Sequence, residues 1–250
     1  MGKVNHSLIL DIGTTFKKVA ILDQGHVVRL NTFRKIESVK GFVEEHKFTD
    51  AVICAVHNSP DLKFALEILP NALLFDQTTP LPIKNHYATP HTLGKDRLAA
   101  IVAAHAQNPN TNSLVIDIGT CITYDFITNQ SEYLGGAISP GLQMRFQSLN
   151  HFTNGLPLVS SDELADFVGD STSTCIASGV VYGFLDEIVQ SIYRYDQKFS
   201  GLQVLLTGGD STFFESKVKA RIFAALQKRV VVEPNLVLIG LGEILNHNGK

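Results

Sequence analysis

Two stretches of the chain place an acid, a glycine and a hydroxyl at the same spacing, a combination that can manage phosphate chemistry. Residues 7–15 read Ser-Leu-Ile-Leu-Asp-Ile-Gly-Thr-Thr, and residues 113–120 read Ser-Leu-Val-Ile-Asp-Ile-Gly-Thr. A glycine lets backbone N–H groups approach an anion, a threonine adds a donor, and an aspartate can hold a cation or a water. Each stretch therefore indicates a turn that binds phosphate and its counter-ion. The alternative is a hairpin whose Asp and Thr only cap the turn.

A second candidate for chemistry follows the longest irregular segment of the chain, residues 77–92. This segment contains three prolines and ends in Thr-Leu-Gly-Lys-Asp-Arg, just before an alanine-rich helix predicted over 98–107. A phosphoryl acceptor hydroxyl needs a base, and Asp96 lies where a carboxylate is both exposed and held. Arg97 offers a planar fork for a carboxylate or phosphate. The alternative is that Asp96 caps the helix and Arg97 pairs on the surface.

The elements around these residues repeat in the same order. Each acidic turn joins two β-rich runs, which predicts an antiparallel hairpin, and each hairpin is followed by a third strand (26–32 and 132–138). Strand triplet, helix, strand, helix, strand, helix is typical of duplicated ribonuclease-H-like domains, an α/β fold with mixed sheets and flanking helices. A polar Pro/Asn cluster at 108–112 marks the boundary, so we predict domains 1–110 and 111–250.

Within these domains the pattern predicts a buried parallel strand at 51–56 and, in the second half, helices at 161–167, 178–195 and 236–245. Gly208 and Gly209 follow a predicted strand. They can let a planar base lie against the backbone, or they only turn the chain into the next helix. His86, His91 and His105 match no metal-binding pattern, and we interpret them as surface or loop residues.

The composition is that of a globular protein, since 44% of the 250 residues are hydrophobic and 18% are charged. The net charge of −3 gives no electrostatic footprint for nucleic acid, and no apolar run approaches the roughly 18 residues of a membrane-spanning helix. The three cysteines form no Cys-x-x-Cys pattern, and residues 1–6 lack a signal-peptide core. We therefore expect reduced thiols in a cytoplasmic protein, with neither a nucleic-acid nor a membrane partner.

An ordered set of motifs resembles the type III pantothenate kinases, within the superfamily of acetate kinase, sugar kinases, Hsp70 and actin. The set comprises the two acidic turns, residues 89–97 (Thr-Pro-His-Thr-Leu-Gly-Lys-Asp-Arg), 135–141 (Gly-Gly-Ala-Ile-Ser-Pro-Gly), Ser171-Thr172 with 176–179 (Ile-Ala-Ser-Gly), and 207–210 (Thr-Gly-Gly-Asp). The resemblance implies ATP-dependent phosphorylation of pantothenate to 4'-phosphopantothenate, the first step of coenzyme A biosynthesis. It also implies a homodimer.

The resemblance assigns roles to individual residues. It implies that Asp96 is the general base and that Asp117 binds a monovalent cation, K⁺ or NH₄⁺. It implies that Asp11 orders Mg²⁺ through water, with Lys17 or Lys18 near the phosphates. The implied ATP contacts are Asp11, Ile12, Gly13, Thr14, Thr15, Phe16, Lys17, Lys18 and Thr120. The implied pantothenate contacts are Tyr87, Gly94, Lys95, Asp96, Arg97 and Thr172.

Two details depart from the family pattern or leave its register open. Many members carry Asn where this chain has Thr14, which keeps a polar donor but leaves open which phosphate oxygen it serves. Ser171, Ser173 and Thr174 surround Thr172, so the substrate threonine can be Thr172 or Thr174. Two other functions remain open: a kinase or phosphatase of the superfamily acting on a sugar or polyphosphate, and a catalytically silent accessory regulator.

Overall fold

The computed structural model describes residues 6–55, 59–164 and 166–249. The chain forms two compact units. Unit 1 comprises Met1–Asn110, Gln130–Leu134 and Asn235–Lys250, and unit 2 comprises Thr111–Asn129 and Gly135–Pro234. The structure thus divides the chain near residue 110, but it assigns two later segments to unit 1 that the sequence places in the second domain.

The sheet of unit 1 is mixed. Its strands are β1 (His6–Ile12), β2 (Lys17–Asp23), β3 (His26–Phe33), β4 (Asp50–Ala55) and β5 (Leu73–Phe75), in the order β3-β2-β1-β4-β5. The first three strands are antiparallel, whereas β4 runs parallel to β1 and β5 parallel to β4. The strand predicted at 51–56 is therefore present and parallel, and Val56 lies outside the described residues.

In the described part of unit 1 the α-helices are α1 (Val39–Glu45), α2 (Pro60–Ile68), α3 (Lys95–Gln107) and α8 (Leu236–Asn248). Helix α8 packs very closely on α3, as shown by Gly240: a Cβ added there would overlap the backbone of Ala99. Small residues permit such close helix packing. This contact explains why the C-terminal helix belongs to unit 1, whereas the sequence-based prediction of 111–250 groups it with the second half of the chain.

The loop 77–92 is mostly irregular, as predicted, but it contains the short strand β6 (Lys84–Asn85) and a 3-10 turn at Pro90–Thr92. Strand β6 pairs in parallel with Glu132 and Tyr133, at the start of β9 (Glu132–Pro140). This pairing explains why residues 130–134 also belong to unit 1.

The sheet of unit 2 repeats the strand order of unit 1. Its strands are β7 (Ser113–Ile118), β8 (Cys121–Ile127), β9, β10 (Gln203–Thr207) and β11 (Val230–Val232), in the order β11-β10-β7-β8-β9, with β6 beyond β9. Strands β7 and β8 form the antiparallel hairpin, and β10 runs parallel to both β7 and β11. The predicted duplication of one α/β unit is therefore confirmed.

The helices of unit 2 are α4 (Leu142–Phe152), α5 (Thr172–Lys198), α6 (Ser211–Lys219) and α7 (Ala224–Gln227). Helix α5 begins at Thr172 and not at 178, because Ser171 and Thr174 form a capping box there. The predicted helix 161–167 is wrong: the structure has only a 3-10 turn at Ser161–Glu163, capped by Ser160, and Ala165 lies outside the described residues.

Helix α5 has 27 residues and is long and apolar enough, by length and composition, to cross a membrane. Its apolar face is nevertheless used inside unit 2, where Phe184, Ile188 and Ile192 are buried in the core around β7 and β10. A core helix of a soluble protein passes the same test of length and composition. The packing of α5 therefore accounts for its hydrophobicity.

Candidate active site

The first acidic turn is tight and open to solvent. The N–H of Gly13 donates to the carbonyl of Phe16 at 3.0 Å, and a Cβ at Gly13 would lie only 3.0 Å from that oxygen. Thr14 and Thr15 are exposed on this turn. The turn between β1 and β2 therefore presents two threonine hydroxyls to solvent, and hydroxyl donors of this kind suit a phosphate-binding turn.

The two lysines after this turn have different surroundings. Lys18 is exposed and lies directly opposite Asp11 in the β1–β2 ladder, so their side chains share one face of the sheet. Lys17 points to the other face, where its side chain is 7% exposed and its Nζ lies 2.8 Å from the Asp61 carboxylate of α2. The structure therefore brings Lys18, and not Lys17, beside Asp11.

The Asp11 carboxyl interacts with charged groups of β2 and α3. Burial raises its pKa to about 6; the Lys18 ammonium opposes that shift and the Asp96 carboxylate adds to it. Two carboxylates, one from β1 and one from α3, thus lie close enough to repel each other. The structure therefore brings the predicted acceptor base to the predicted phosphate turn.

Asp96 is held at the first turn of α3 yet remains exposed. One of its carboxylate oxygens accepts the N–H of Arg97 at 2.9 Å and lies against Gly94, where a Cβ would overlap it. Gly94 therefore permits this position of the carboxylate. The positive end of the helix dipole favours an anion there.

The predicted pantothenate contacts separate into two sets. The guanidinium of Arg97, which is buried, lies 5.7 Å from the ring of Tyr87. The Tyr87 ring in turn stacks on buried Tyr133 at 6.2 Å. Lys95 instead donates through Nζ to the carbonyl of Ala55 at 2.7 Å, which ties α3 to the end of β4. The Arg97 guanidinium and the Tyr87 ring are therefore neighbours, whereas the Lys95 ammonium is bound to a main-chain carbonyl.

Sequence reasoning missed two residues of this region, Cys54 and Tyr133. Cys54 is buried, lies next to Asp11 in the β1–β4 ladder, and its thiol has a pKa raised by burial and by the Asp11 charge. It is therefore a small neutral neighbour of the Asp11 carboxylate. Tyr133 reaches Tyr87 only through the β6–β9 pairing, and no local sequence pattern indicates that contact.

The second acidic turn lies in unit 2 and meets the Gly208–Gly209 turn. Gly208 has a φ of +91° and approaches Asp117 so closely that a Cβ would overlap the carboxylate. The N–H of Asp210 donates to the carbonyl of Ile118 at 3.1 Å. The predicted cation ligand and the predicted nucleotide turn are therefore neighbours within one unit.

Thr120 and Gly141, the last residue of the 135–141 motif, are in contact in unit 2. Thr120 is exposed, and its carbonyl accepts the N–H of Gly141 at 3.1 Å. A Cβ at Gly141 would overlap the carbonyls of Gly119 and Thr120. The Gly-Gly-Ala-Ile-Ser-Pro-Gly string therefore has a structural reason to end in glycine.

The start of α5 distinguishes the candidate substrate threonines. The Thr174 hydroxyl accepts the N–H groups of Asp170 at 3.0 Å and Ser171 at 2.9 Å, so it serves the capping box. Thr172 is the first residue of the helix and is exposed. These surroundings favour Thr172 over Thr174 as a residue that can contact a ligand.

Comparison with known proteins gives both a family and a fold. The family model of the type III pantothenate kinases matches residues 7–194 of this chain. The type III pantothenate kinase of Christiangramia forsetii is 41% identical over 247 residues, covering 97% of this chain and 98% of that protein. The ROK hexokinase of Thermus thermophilus has a TM-score of 0.56 at 12% identity and covers 98% of this chain and 100% of its own.

A ROK family transcriptional regulator, a homologue of the E. coli MLC protein, has a TM-score of 0.52 at 10% identity, covering 98% of this chain and 78% of its own. At such identities the structural likeness shows the fold alone, and it confirms the predicted actin-like α/β fold of the sugar kinases. The family model matches most of the chain, and a relative from that family is 41% identical over nearly its full length. The chain therefore belongs to the type III pantothenate kinase family.

Proposed function

We propose that this protein transfers the γ-phosphoryl group of ATP to the primary hydroxyl of pantothenate, giving 4'-phosphopantothenate and ADP at the entry to coenzyme A biosynthesis. The observation that carries this proposal is the proximity of Asp11 and Asp96 in unit 1. Membership of the type III pantothenate kinase family supports pantothenate as the phosphoryl acceptor. Phosphoryl transfer needs a phosphate-binding turn and an acceptor base side by side.

In the proposed reaction the hydroxyl oxygen of pantothenate attacks the γ-phosphorus while the bond to the ADP oxygen breaks. Asp96 takes the hydroxyl proton and later releases it to water. Its exposed position at the first turn of α3, steadied by the Arg97 N–H, suits a base that must meet a substrate. A general base of this kind contributes roughly 10²–10⁴-fold to the rate.

The phosphates of ATP are bound by the turn after β1 in this proposal. Thr14 and Thr15 donate from the exposed turn, and Lys18 supplies positive charge on the Asp11 face. In this proposal Lys17 does not contact phosphate directly, since its ammonium is paired with Asp61. The proposed ATP contacts therefore keep Lys18 and change the role of Lys17.

Asp11 fits a bound Mg²⁺ because a partly buried carboxylate beside Asp96 gains from a nearby cation. Within residues 6–55, 59–164 and 166–249, no group of three or more His, Cys, Asp or Glu could hold a metal ion. Asp11 would therefore share the ion with water and phosphate oxygens. When bound, Mg²⁺ supplies charge neutralisation on the phosphates.

Pantothenate carries a carboxylate, and the Arg97 guanidinium over Tyr87 is the proposed anchor for it. Thr172 is the proposed threonine contact, since the hydroxyl of Thr174 serves the helix cap. In unit 2, Asp117 is the proposed ligand of K⁺ or NH₄⁺, and Thr120 the proposed ATP contact. A carboxylate is a suitable hard ligand for such a cation.

The function is tested by ADP release from the full chain with ATP and Mg²⁺, comparing pantothenate, a hexose set and polyphosphate as acceptors. We expect release only with pantothenate, and stimulation by K⁺ or NH₄⁺. Release with a hexose and not with pantothenate would contradict the proposal. The proposed cytoplasmic homodimer is tested separately by sedimentation at micromolar concentration, where a monomer would contradict it.

The alternative is a catalytically silent regulator, a role compatible with the fold because a transcriptional regulator shares it. Against that alternative, Asp11, Lys18, Asp96 and Arg97 are all present and share unit 1. Binding of ATP and pantothenate without any ADP release would favour the regulator.

A further inference from the structure

We propose that Glu187 is a positioning residue for the second acidic turn: through Tyr124, Ser139 and Arg145 it fixes the backbone that supports Asp117 and Thr120. This inference rests on the proposed role of that turn in binding ATP and a monovalent cation. All of the residues involved belong to unit 2.

Glu187 projects from the middle of α5 and gathers three donors. The Tyr124 hydroxyl donates to its Oε1 at 3.0 Å, the Ser139 hydroxyl donates to its Oε2 at 3.2 Å, and the Arg145 guanidinium donates to Oε2 as an ion pair. The side chains of Glu187 and Arg145 are 28% and 21% exposed. Such partly desolvated, charge-assisted hydrogen bonds are shorter and stronger than neutral ones.

Arg145 extends the cluster to the end of β9. Its guanidinium donates to the Ser139 hydroxyl at 3.0 Å and to the Pro140 carbonyl at 2.9 Å. It also lies 4.9 Å from the ring of Phe184, one turn before Glu187 on α5. The backbone at Ser139 and Pro140 is therefore held by a guanidinium that is itself fixed to the core helix.

The cluster reaches the acidic turn from two sides. On one side, Pro140 precedes Gly141, whose N–H donates to the Thr120 carbonyl and whose Cα lies against Gly119 and Thr120 without room for a Cβ. On the other side, Tyr124 belongs to β8, the strand that leaves the turn. A shift of Glu187 would thus move both supports of the turn together.

The cluster uses both carboxylate oxygens of Glu187 as acceptors. A glutamine has the same size but no charge and only one acceptor oxygen, so it loses the ion pair with Arg145 and cannot accept from donors on both of its sides. The variant E187Q should therefore release Arg145 and loosen Pro140 and Gly141, while Asp96 and the phosphate turn of unit 1 keep their own contacts. Asp186→Asn makes the same chemical change at the neighbouring, exposed position of α5, and it is the matched control.

The test compares wild type, E187Q and D186N in pantothenate-dependent ADP release at varied ATP and K⁺. We expect E187Q to raise the KM for ATP and the K⁺ concentration for half-maximal activation by about tenfold, with the KM for pantothenate unchanged. D186N should match wild type. Reduced thermal stability of E187Q with unchanged ATP and K⁺ constants would show a purely structural role and overturn the inference.

Two further outcomes are distinguishable. If wild type itself releases no ADP with pantothenate, the proposed function fails, and the inference fails with it. If E187Q does not fold, Tyr124→Phe removes only one hydroxyl from the cluster and should raise the KM for ATP in the same direction by a smaller factor. An unchanged KM for ATP in Y124F would then overturn the inference while the proposed function stands.

Discussion

Asp11 and Lys18 face each other across the β1–β2 ladder, on the same side of the sheet. The neighbouring Lys17 is turned away into an ion pair with Asp61. Because successive residues of a strand point to opposite faces of the sheet, Lys18 can bind phosphate, whereas Lys17 connects the sheet to α2.

This difference predicts that substitution of Lys18 affects ATP binding, whereas substitution of Lys17 affects stability. Lys18→Ala should raise the KM for ATP roughly tenfold with little change in the free energy of unfolding, since it removes an exposed cation. Lys17→Met should lower the free energy of unfolding by about 1–2 kcal/mol, because it leaves Asp61 without its partner. ATP titrations and urea denaturation of both variants measure the contrast. A higher KM for ATP in Lys17→Met alone would reverse the assignment.

The raised pKa of Asp11 predicts a pH-dependent difference between wild type and Asp11→Asn. The folded pKa is about 6 and the ordinary value is 3.8, so the folded state favours the protonated acid. Its contribution to stability is fully present below the ordinary pKa and is lost as pH rises through about 6. Asp11→Asn should therefore become the more stable protein above pH 6, by about 3 kcal/mol.

Urea denaturation of both proteins between pH 4 and pH 8 measures this difference directly. The gap in the free energy of unfolding should grow from pH 4 to pH 6 and then stay constant. A gap that is independent of pH would show that Asp11 ionises normally in the folded protein.

The close packing of α8 on α3 predicts that a substitution at Gly240 affects catalysis indirectly, by moving α3. Gly240→Ala would push the backbone of Ala99 and displace α3, which carries Asp96 at its first turn. We expect a loss of about 1–3 kcal/mol in stability from overpacking, together with a lower kcat. Gly183→Ala is the matched control, because that glycine is exposed on α5 with nothing within 4 Å of an added Cβ.

Gly183→Ala should instead stabilise the protein by up to about 1 kcal/mol, through helix propensity. Thermal or urea unfolding combined with kcat distinguishes the two variants. Equal, small effects of both substitutions would show that α8 does not hold α3 in place.

The capping box at the start of α5 predicts how Thr172 and Thr174 differ. Thr174→Ala removes the hydroxyl that serves the helix cap and should cost about 1 kcal/mol of stability. Thr172→Ala should leave stability unchanged and raise the KM for pantothenate. Substrate titrations and thermal unfolding of both variants are the measurement. A raised KM for pantothenate in Thr174→Ala alone would move the substrate contact to Thr174.

The sequence predicts the features of this protein that depend on local patterns. Two acid–glycine–threonine turns between β-rich runs predict both hairpins, and apolar runs predict the parallel strands beside them. The start of α5 is missed because residues 172–178 are mostly small and polar, which hides a helix whose capping box begins at Ser171.

Other features depend on contacts between distant segments. The packing of α8 on α3, the pairing of β6 with β9, and the ion pair of Arg145 with Glu187 each join residues far apart in the chain. Local propensity carries no information about such pairs. For the same reason the sequence names Lys17 and Lys18 together, whereas the strand register separates them.

The central claim is that Asp96 is the base in phosphoryl transfer to pantothenate. Its most direct test is detection of 4'-phosphopantothenate by mass spectrometry, after incubation of wild type or Asp96→Asn with ATP, Mg²⁺ and pantothenate. Wild type should form the product, and a folded Asp96→Asn should form it about 10²–10⁴-fold more slowly. Absence of the product with wild type, or a near-wild-type rate with Asp96→Asn, would contradict the claim.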